Sequence, residues 1–305
     1  LFQMAKLNNK NVSKHLGQSS QYKSTYDPKL LVREPRSSNR KHLKITGNDL
    51  PFIGCDVWNG YEVSALTTNG IPVCAVAKVV YPSDSKYIVE SKSMKLYWNS
   101  FNMTNMGDSP VMVAKNIEET AAKDLSKFLQ TEVRVKLFSC DTDLKDVYNP
   151  YTENKWERLE NNVKDDMFTD VYNEDPSLLE TRYTSAKDPN KMKVMSSLLK
   201  SNCRVTSQPD WGDVYISMDG QWLPDRKELL KYIISFRDEN HFHEEICETI
   251  FKRLSDRFTP RSLMVACLYA RRGGWDINPI RTTHELYIED FFWDETIPWI
   301  KTIRQ

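Results

Sequence analysis

The stretch YEVSALTTNGIPVCAVAKVVY (residues 61–81) decides how the first half of this 305-residue chain folds. Apolar residues alternate at Val63 and Ala65, Asn69-Gly70 interrupts the pattern, and an apolar run follows from Val73 to Tyr81. Asn-Gly is typical of a tight hairpin turn, because such turns need positive φ at their central residues. The stretch therefore predicts two antiparallel strands joined at Asn69-Gly70.

A helix and a further strand are predicted after this hairpin. Apolar residues recur at helical spacing at Ile117, Ala121, Leu125, Phe128 and Leu129. Asn116 directly precedes this stripe and is the predicted N-cap, since asparagine side chains accept hydrogen bonds from the first free N–H groups of a helix. Residues 132–138 then alternate as a strand, which gives the order strand, strand, helix, strand.

The second half repeats this order. Residues 213–218 alternate as a strand, and Asp219-Gly220 predicts a turn. Two helical stripes follow, one over residues 229–234 and one at Phe242, Ile246, Ile250 and Leu254. Residues 262–270 predict a buried strand. The two halves therefore predict an α+β protein that contains two copies of one antiparallel unit.

Four segments are expected from the distribution of polar residues. Residues 1–49 are rich in Lys, Asn, Ser and Gln and predict an extended or partly ordered arm. Residues 50–148 form the first unit, residues 149–190 a polar linker, and residues 191–305 the second unit. Leu1-Phe2-Gln3 ahead of Met4 resembles the scar of a protease site, so Met4 is the expected native start.

The composition is that of a soluble cytoplasmic protein. The 42 basic and 42 acidic side chains cancel, and there is no basic stripe, which argues against direct binding of nucleic acid. No apolar run approaches the roughly 18 residues that span a bilayer. The six cysteines lack CxxC spacing, which argues against a disulfide framework and a structural zinc site. They are Cys55, Cys74, Cys140, Cys203, Cys247 and Cys267.

The segment SNCRVTSQPDWG (residues 201–212) places Cys203 and Asp210 seven positions apart around a Gln-Pro turn. A thiol with a nearby proton donor is the minimum equipment for covalent catalysis on an electrophilic carbon. The segment alone favours a simpler interpretation, a buried structural cysteine near an exposed aspartate.

Three other segments carry polar side chains in compact patterns, and each has a plain structural alternative. ESKSMKLYWNSF (90–101) can hold a polar heterocycle and phosphates, or be a solvated loop before a helix. FHE (242–244) places a histidine beside a glutamate, and both can face one site only where a helix begins. Otherwise they are ordinary exposed side chains on a helix surface. RRGGWDINP (271–279) offers arginines for phosphate and glycines for close backbone approach, or simply turns at a strand end.

Together these segments resemble the QueF family, the NADPH-dependent 7-cyano-7-deazaguanine reductases, in its long two-module form. The family's first motif, Glu-Ser-Lys-Ser-x-Lys-Leu-Tyr, is matched by Glu90–Tyr97. Its second-half motifs are Ser-Asn-Cys…Gln-Pro-Asp-Trp, Phe-His-Glu and Arg-Arg-Gly-Gly-x-Asp-Ile-Asn-Pro, and all occur in this order. The resemblance covers residues 50–278.

The resemblance implies a reaction and roles for individual residues. The family reduces a nitrile to an amine with two hydrides from two NADPH molecules. By motif match, Cys203 is the nucleophile that forms a thioimide, Asp210 is the proton donor, and His243 orients the substrate and assists later proton transfers. The 7-deazaguanine base is expected at Val89, Glu90, Ser91, His243 and Glu244.

For the cofactor, the resemblance implies Ser91, Lys92, Arg272 and Gly273, whose cations suit the extra phosphate of NADPH. No metal is expected. No G-x-G-x-x-G fingerprint is present, so a Rossmann mode is not expected. The implied fold is two tandem tunnelling-fold (T-fold) modules, antiparallel sheets with paired helices on one face, assembled as a homodimer.

Three rival interpretations come from other classes. A hydrolase related to GTP cyclohydrolase shares the fold but needs further zinc ligands, and none of the five histidines is spaced from a cysteine like a metal pair. A cysteine amidase or peptidase with Cys203 and His243 hydrolyses an acyl intermediate rather than reducing it. A non-enzymatic tRNA-binding module is disfavoured by the charge balance.

Overall fold

The computed structural model describes residues 22–46, 49–142, 156–163, 167–183, 190–204, 206–288 and 293–299. The predicted scar, the start at Met4 and the boundary between residues 148 and 149 lie outside these ranges. No helix in the described ranges is long and apolar enough to cross a membrane.

The described residues form thirteen strands and five α-helices. The strands are β1 (Arg33–Pro35), β2 (Ile53–Thr67), β3 (Pro72–Pro82), β4 (Tyr87–Val89), β5 (Asn105–Gly107), β6 (Arg134–Ser139), β7 (Glu157–Arg158), β8 (Thr181–Tyr183), β9 (Lys191–Asn202), β10 (Pro209–Asp219), β11 (Trp222–Pro224), β12 (Ser262–Tyr269) and β13 (Trp275–Thr282). The helices are α1 (Arg36–Arg40), α2 (Ser91–Asn99), α3 (Pro110–Leu129), α4 (Arg226–Ile234) and α5 (His243–Phe258).

Both halves of the chain share one sheet. Over the described residues its strand order is β6-β3-β2-β13-β12-β10-β9-β7, with β5 parallel beside β2. The halves join where β13 pairs antiparallel with β2, from Trp275 opposite Gly60 to Thr282 opposite Ile53. The second half runs β9-β10-β11-α4-α5-β12-β13, and the first runs β2-β3-β4-α2-β5-α3-β6. The structure is therefore α+β with a mainly antiparallel sheet, as predicted.

The four longer helices cover one face of this sheet. α4 and α5 pack on β9, β10 and β12, and α2 and α3 pack on β2, β3 and β6. The opposite face buries Met264, Ala266 and Leu268 of β12 in a separate apolar cluster that also contains Trp299. β12 is buried along its whole length because both of its faces are covered, which explains its continuous apolar sequence.

The predicted hairpin is confirmed. β2 and β3 pair on either side of Asn69-Gly70, and Gly70 has φ +75°, a conformation that glycine adopts without strain. The predicted start of the following helix was wrong. α3 begins at Pro110, where Ser109 caps the backbone N–H of Met112, and Asn116 lies inside the helix. The apolar stripe in fact reaches back to the buried Val113, four residues before Ile117, and only residues 110–112 of the first turn are exposed.

The part of the predicted arm that is described packs against the body. β1 pairs antiparallel with β4, and Leu30, Leu31 and Leu43 are buried. In the predicted linker, β7 lies parallel to β9 at the edge of the sheet. The arm therefore contacts the segment before α2 and positions its backbone.

Candidate functional site

Cys203 lies in the loop that connects β9 to β10. Its backbone N–H donates to Gln208 O at 2.8 Å, and its carbonyl accepts from Ser207 N at 2.9 Å. Pro209 opens β10, a position where the missing N–H costs nothing. The side chain of Cys203 is buried, so this tight loop fixes a thiol against the interior rather than in solvent.

Asp210 follows on β10 and makes two ionic contacts. Its Oδ2 lies 3.3 Å from His243 Nε2, and its Oδ1 lies 3.1 Å from Arg272 Nη1. The His243 ring stacks on Tyr269 at 3.8 Å between centroids with an interplanar angle of 11°. His243 is the first residue of α5, so both it and Glu244 project from the start of a helix toward one site.

The electrostatics of the site favour the ionised form of Asp210. Burial raises the pKa of this carboxyl, because it penalises the charge. The hydrogen bond and charge of His243, together with the charges of Arg272 and Lys95, outweigh burial, and the pKa lies below its ordinary value. At neutral pH Asp210 is therefore a carboxylate.

One cleft brings these side chains together with residues of the first half. Its volume is about 380 Å³, including space open to solvent. Its lining comprises Val89, Ser91, Cys203, Asp210, His241, Phe242, His243, Glu244, Arg272 and Ile277. The cleft lies between the halves, because β4 and α2 form one wall and the Cys203 loop and the start of α5 form another.

Glu244 presents a buried carboxylate to the cleft. Burial, together with the negative charge of Asp56, raises the pKa of Glu244 to about 7. Among the described residues no group hydrogen-bonds its Oε1 or the Nδ1 of His243. Buried polar atoms are normally bonded, so these two are suited to contact a polar ligand.

Glu90 is buried beside the cleft as the N-cap of α2. Its two carboxylate oxygens accept from Lys92 N and Ser93 N, each at 2.8 Å. A carboxylate at this place is stabilised by the free N–H groups and by the helix dipole. Each oxygen keeps a further lone pair for an external donor.

Cationic groups border the cleft on the side of α2. Burial, with the charge of Arg272, lowers the pKa of Lys95 to about 8, while Glu90, Asp210 and Cys203 act in the opposite direction. Gly273 has φ +61°, and a Cβ there would lie 3.4 Å from Lys95 Cδ. The glycine therefore lets the turn approach Lys95 closely.

Comparisons with known proteins agree with the motif resemblance. The family described as "Nitrile reductase, 7-cyano-7-deazaguanine-reductase N-term" matches residues 22–137, and the family "QueF-like protein" matches residues 209–287. The NADPH-dependent 7-cyano-7-deazaguanine reductase of Colwellia psychrerythraea is 40% identical over 95% of this chain and 95% of that protein. Its counterparts in Ralstonia nicotianae and Cupriavidus metallidurans are 40% and 42% identical over 88% of this chain and 92% of each relative.

The chain belongs to the QueF nitrile reductase family. A solved structure, the archaeosine synthase QueF-Like in the apo form, aligns with 32% of this chain and 95% of that one, at 15% identity and a TM-score of 0.28. A likeness this low does not assign a fold. The described residues hold no group of three or more His, Cys, Asp or Glu side chains arranged to bind a metal.

Most residues predicted for a QueF site meet in the cleft. Seven line it: Val89, Ser91, Cys203, Asp210, His243, Glu244 and Arg272. Glu90, Lys92 and Gly273 do not line it but lie next to residues that do. The roles assigned to all ten stay predictions.

Sequence reasoning did not assign several residues that lie in or beside this cleft. Phe242 stood in the quoted triplet, and Lys95 lies four positions after Ser91, on the same face of α2, so helical spacing was a usable signal. His241 precedes the triplet directly. Tyr269 gave no signal, because it ends an apolar strand like any core residue.

Proposed function

We propose that this protein reduces the nitrile 7-cyano-7-deazaguanine to 7-aminomethyl-7-deazaguanine with NADPH, a step of queuosine biosynthesis. The observation that carries the proposal is the meeting of Cys203, Asp210, His243 and Glu244 in one cleft. Relatives that match nearly the full chain are named for this activity. Family membership and a cleft with the required nucleophile and proton carriers support the same reaction.

The first step is covalent. The Cys203 sulfur adds to the nitrile carbon, a C–S bond forms, one π bond of the nitrile breaks, and the nitrogen gains a proton to give a thioimide. Asp210 is the proton donor: as a carboxylate it takes the proton of the Cys203 thiol and passes it to the nitrile nitrogen, so it ends the step as it began. The lowered pKa of Asp210 means that it begins the step ionised and able to accept the thiol proton. His243 Nε2, 3.3 Å from Asp210 Oδ2, helps to hold this carboxylate in place.

Base recognition falls to the two buried carboxylates. A 7-deazaguanine has ring N–H and amino donors, and carboxylates bind such donors strongly. Glu244 offers an oxygen that no described group bonds, and Glu90 approaches from the other half. Val89, Ser91 and His243 complete the contacts. Since the carboxylates come from different halves, binding requires both.

Hydride comes from outside the chain. Two NADPH molecules, bound one after the other, would each supply one hydride, so that the former nitrile carbon is reduced twice and the Cys203 thiol is released. Ser91, Lys92, Arg272 and Gly273 are the proposed cofactor residues, and Lys95 joins them because it lies beside Gly273. Lysine and arginine suit the phosphates, and Asp210 with His243 supplies the protons that accompany reduction.

The proposal extends to fold and assembly. Tandem T-fold modules are supported by the order β9-β10-β11-α4-α5-β12-β13, in which one antiparallel strand pair precedes the helix pair and a second one follows it. Homodimer assembly is tested by light scattering, where a mass near twice 35.6 kDa supports it and a monomer mass contradicts it.

The decisive experiment separates adduct formation from reduction. Incubation with 7-cyano-7-deazaguanine alone is expected to add the mass of the nitrile to the Cys203 peptide and to change the absorbance of the ligand. Cys203→Ala is expected to abolish both, while Cys74→Ala, which changes an exposed cysteine on β3, leaves them intact. With NADPH present, two cofactors are oxidised per amine formed. Release of a hydrolysed product without NADPH would instead favour the cysteine amidase.

A further inference from the structure

The loop that carries Cys203 is fastened to the N-terminal arm through the next residue, Arg204. Its Nη1 donates to Asn39 Oδ1 of α1 at 2.8 Å, and its Nη2 lies 3.3 Å from Glu245 Oε1 in the first turn of α5. Its guanidinium also lies 5.4 Å from the centroid of the Phe242 ring, which lines the cleft. These three residues, Arg204, Asn39 and Glu245, are called the Arg204 clamp.

The buried carboxylate of Glu245 needs a positively charged partner, which Arg204 supplies. Its side chain is only 1% exposed. His241 Nδ1 and His42 Nδ1 lie 3.1 and 3.4 Å from the same Oε1, and the two imidazoles stack at 5.7 Å. A buried carboxylate is costly without cationic partners. Arg204 is always charged, whereas the histidines are charged only when protonated, so Arg204 is the permanent counter-ion.

The same arm also holds the opposite wall of the cleft. β1 pairs with β4, and Glu90 N donates to Val32 O at 2.8 Å. Val32 N in turn donates to Ser93 Oγ at 3.0 Å. A single ordered segment therefore contacts both the Glu90 wall and the Cys203 loop.

We infer that Arg204 is a positioning residue for Cys203: by joining the Cys203 loop to Asn39 of the arm and Glu245 of α5, it holds the thiol at a fixed distance from the Asp210–His243 pair. The inference rests on the proposed function only in giving that thiol its catalytic role. The restraint itself is a property of the loop. Short, tight loops without such an anchor open locally at low cost, and opening exposes the thiol.

Thiol accessibility tests the restraint without any substrate. The full chain is treated with iodoacetamide, and alkylation of each cysteine is followed by peptide mass spectrometry. In Arg204→Ala we expect Cys203 to react about fivefold faster or more. Without the clamp the loop opens more often, and the thiol is exposed to the reagent for a larger share of the time. The deeply buried Cys55 and Cys267 report global unfolding, and their rates stay unchanged.

Arg226→Ala is the matched control. Arg226 has the same side-chain exposure, 35% against 36%, and pairs with one carboxylate, Glu157, but lies on α4 away from the cleft. It is expected to leave Cys203 alkylation at the wild-type rate. Asn39→Ala is a second, milder probe of the clamp, and Arg204→Lys is expected to restore part of the protection because it keeps the charge beside Glu245.

Two readouts distinguish this inference from the proposed function. If Arg204→Ala folds and Cys203 alkylates at the wild-type rate, Arg204 does not position the loop. If Arg204→Ala unfolds, Asn39→Ala decides, and unchanged alkylation there overturns the clamp. The rate of thioimide formation is measured separately and is expected to fall about tenfold in Arg204→Ala, because misplacing a reacting group costs rate. A wild-type protein that forms no adduct refutes the proposed function while the alkylation result still stands.

Discussion

At the scale of single residues, the partners of Asp210 set its acidity. The carboxylate lies between His243 and Arg272, and these partners keep its pKa low although it is buried. A strong acid is a poor donor by itself, because general acids work best with a pKa near the operating pH. In the proposed reaction, Asp210 is therefore better suited to relay the thiol proton of Cys203 to the nitrile nitrogen than to supply a proton of its own.

Asp210→Asn removes the proton carrier while keeping the shape of the side chain. We expect the rate of NADPH oxidation with the nitrile to fall by about 10²–10⁴, the usual contribution of a general acid. Single-turnover absorbance of the adduct locates the loss in the first step. Asp219→Asn is the control, since Asp219 ends the same strand and pairs with the exposed Arg261. Wild-type turnover by Asp210→Asn would contradict the assignment.

Glu244 gives ligand binding a pH dependence of definite sign. Its pKa is raised to about 7, so it is ionised above that pH and protonated below it. If the carboxylate accepts from the base, the affinity for 7-cyano-7-deazaguanine falls by up to about tenfold per pH unit below 7. Equilibrium titrations of Cys203→Ala between pH 6 and pH 8 measure this slope. Adding Glu244→Gln should weaken binding and flatten the slope, and an unchanged slope would show that another group titrates.

At the scale of elements, the start of α3 depends on Ser109. Its side chain accepts from Met112 N, and Pro110 stands at the first position of the helix. Ser109→Ala is expected to lower the free energy of unfolding by about 1 kcal/mol, and Ser109→Asn to retain most of it. Urea denaturation measures both. Turnover stays unchanged, because Ser109 does not line the cleft. Equal stability of Ser109→Ala and the wild type would show that the cap contributes nothing.

Local patterns could be predicted from the sequence, and long-range pairings could not. The hairpin at Asn69-Gly70 and the stripe of α5 depend on neighbours a few residues apart, and both are confirmed. The pairing of β13 with β2 joins residues more than 200 positions apart, such as Asn59 and Asp276, whose side chains bond at 2.9 Å. No periodicity within one strand specifies such a partner.

In the candidate site, too, local motifs could be predicted from the sequence and long-range contacts could not. Cys203, Asp210 and the triplet at 242–244 could be predicted because they form short motifs. The contact of Tyr269 with His243, by contrast, depends on β10 lying beside β12. The arm illustrates a further limit: its polar composition predicted weak order, yet Arg36, Asn39 and Arg40 are buried. Composition reports the polarity of these residues but not their buried partners, which are Asp56 and Glu248 for the two arginines and Arg204 for Asn39.

At the scale of the whole molecule, a buried ionic network joins the arm to both halves. Arg36 of the arm pairs with Asp56 of β2, and Arg40 binds Glu248 of α5 at 2.7 Å. Arg281 of β13 connects the two acids, at 2.9 Å from Asp56 and 2.8 Å from Glu248. Removing one member of such a network leaves buried charges without partners, which typically costs about 3–5 kcal/mol. We therefore expect the arm, the first half and the second half to unfold together.

The pKa of Glu248 determines how the stability contributed by this network depends on pH. Burial alone would raise its pKa, but Arg281, Arg40 and Arg36 lower it to about 2. Because the folded pKa is below the ordinary value of 4.5, its stabilisation is fully present above pH 4.5 and is lost as pH falls from there toward 2. We expect Glu248→Gln to lower the free energy of unfolding by about 3 kcal/mol at pH 7, with a smaller difference from the wild type at pH 3.5.

Urea denaturation of the full chain at both pH values checks this, with Glu157→Gln as the control. Glu157 is partly exposed and pairs with Arg226 at the surface, so its removal should cost less than about 1 kcal/mol at either pH. A loss in Glu248→Gln that stays constant between pH 7 and pH 3.5 would mean that side-chain packing, not charge, gives Glu248 its effect. If the loss of unfolding free energy in Glu248→Gln is smaller at pH 3.5 than at pH 7, the ionic network of three arginines and two carboxylates stabilises the sheet that joins the two halves.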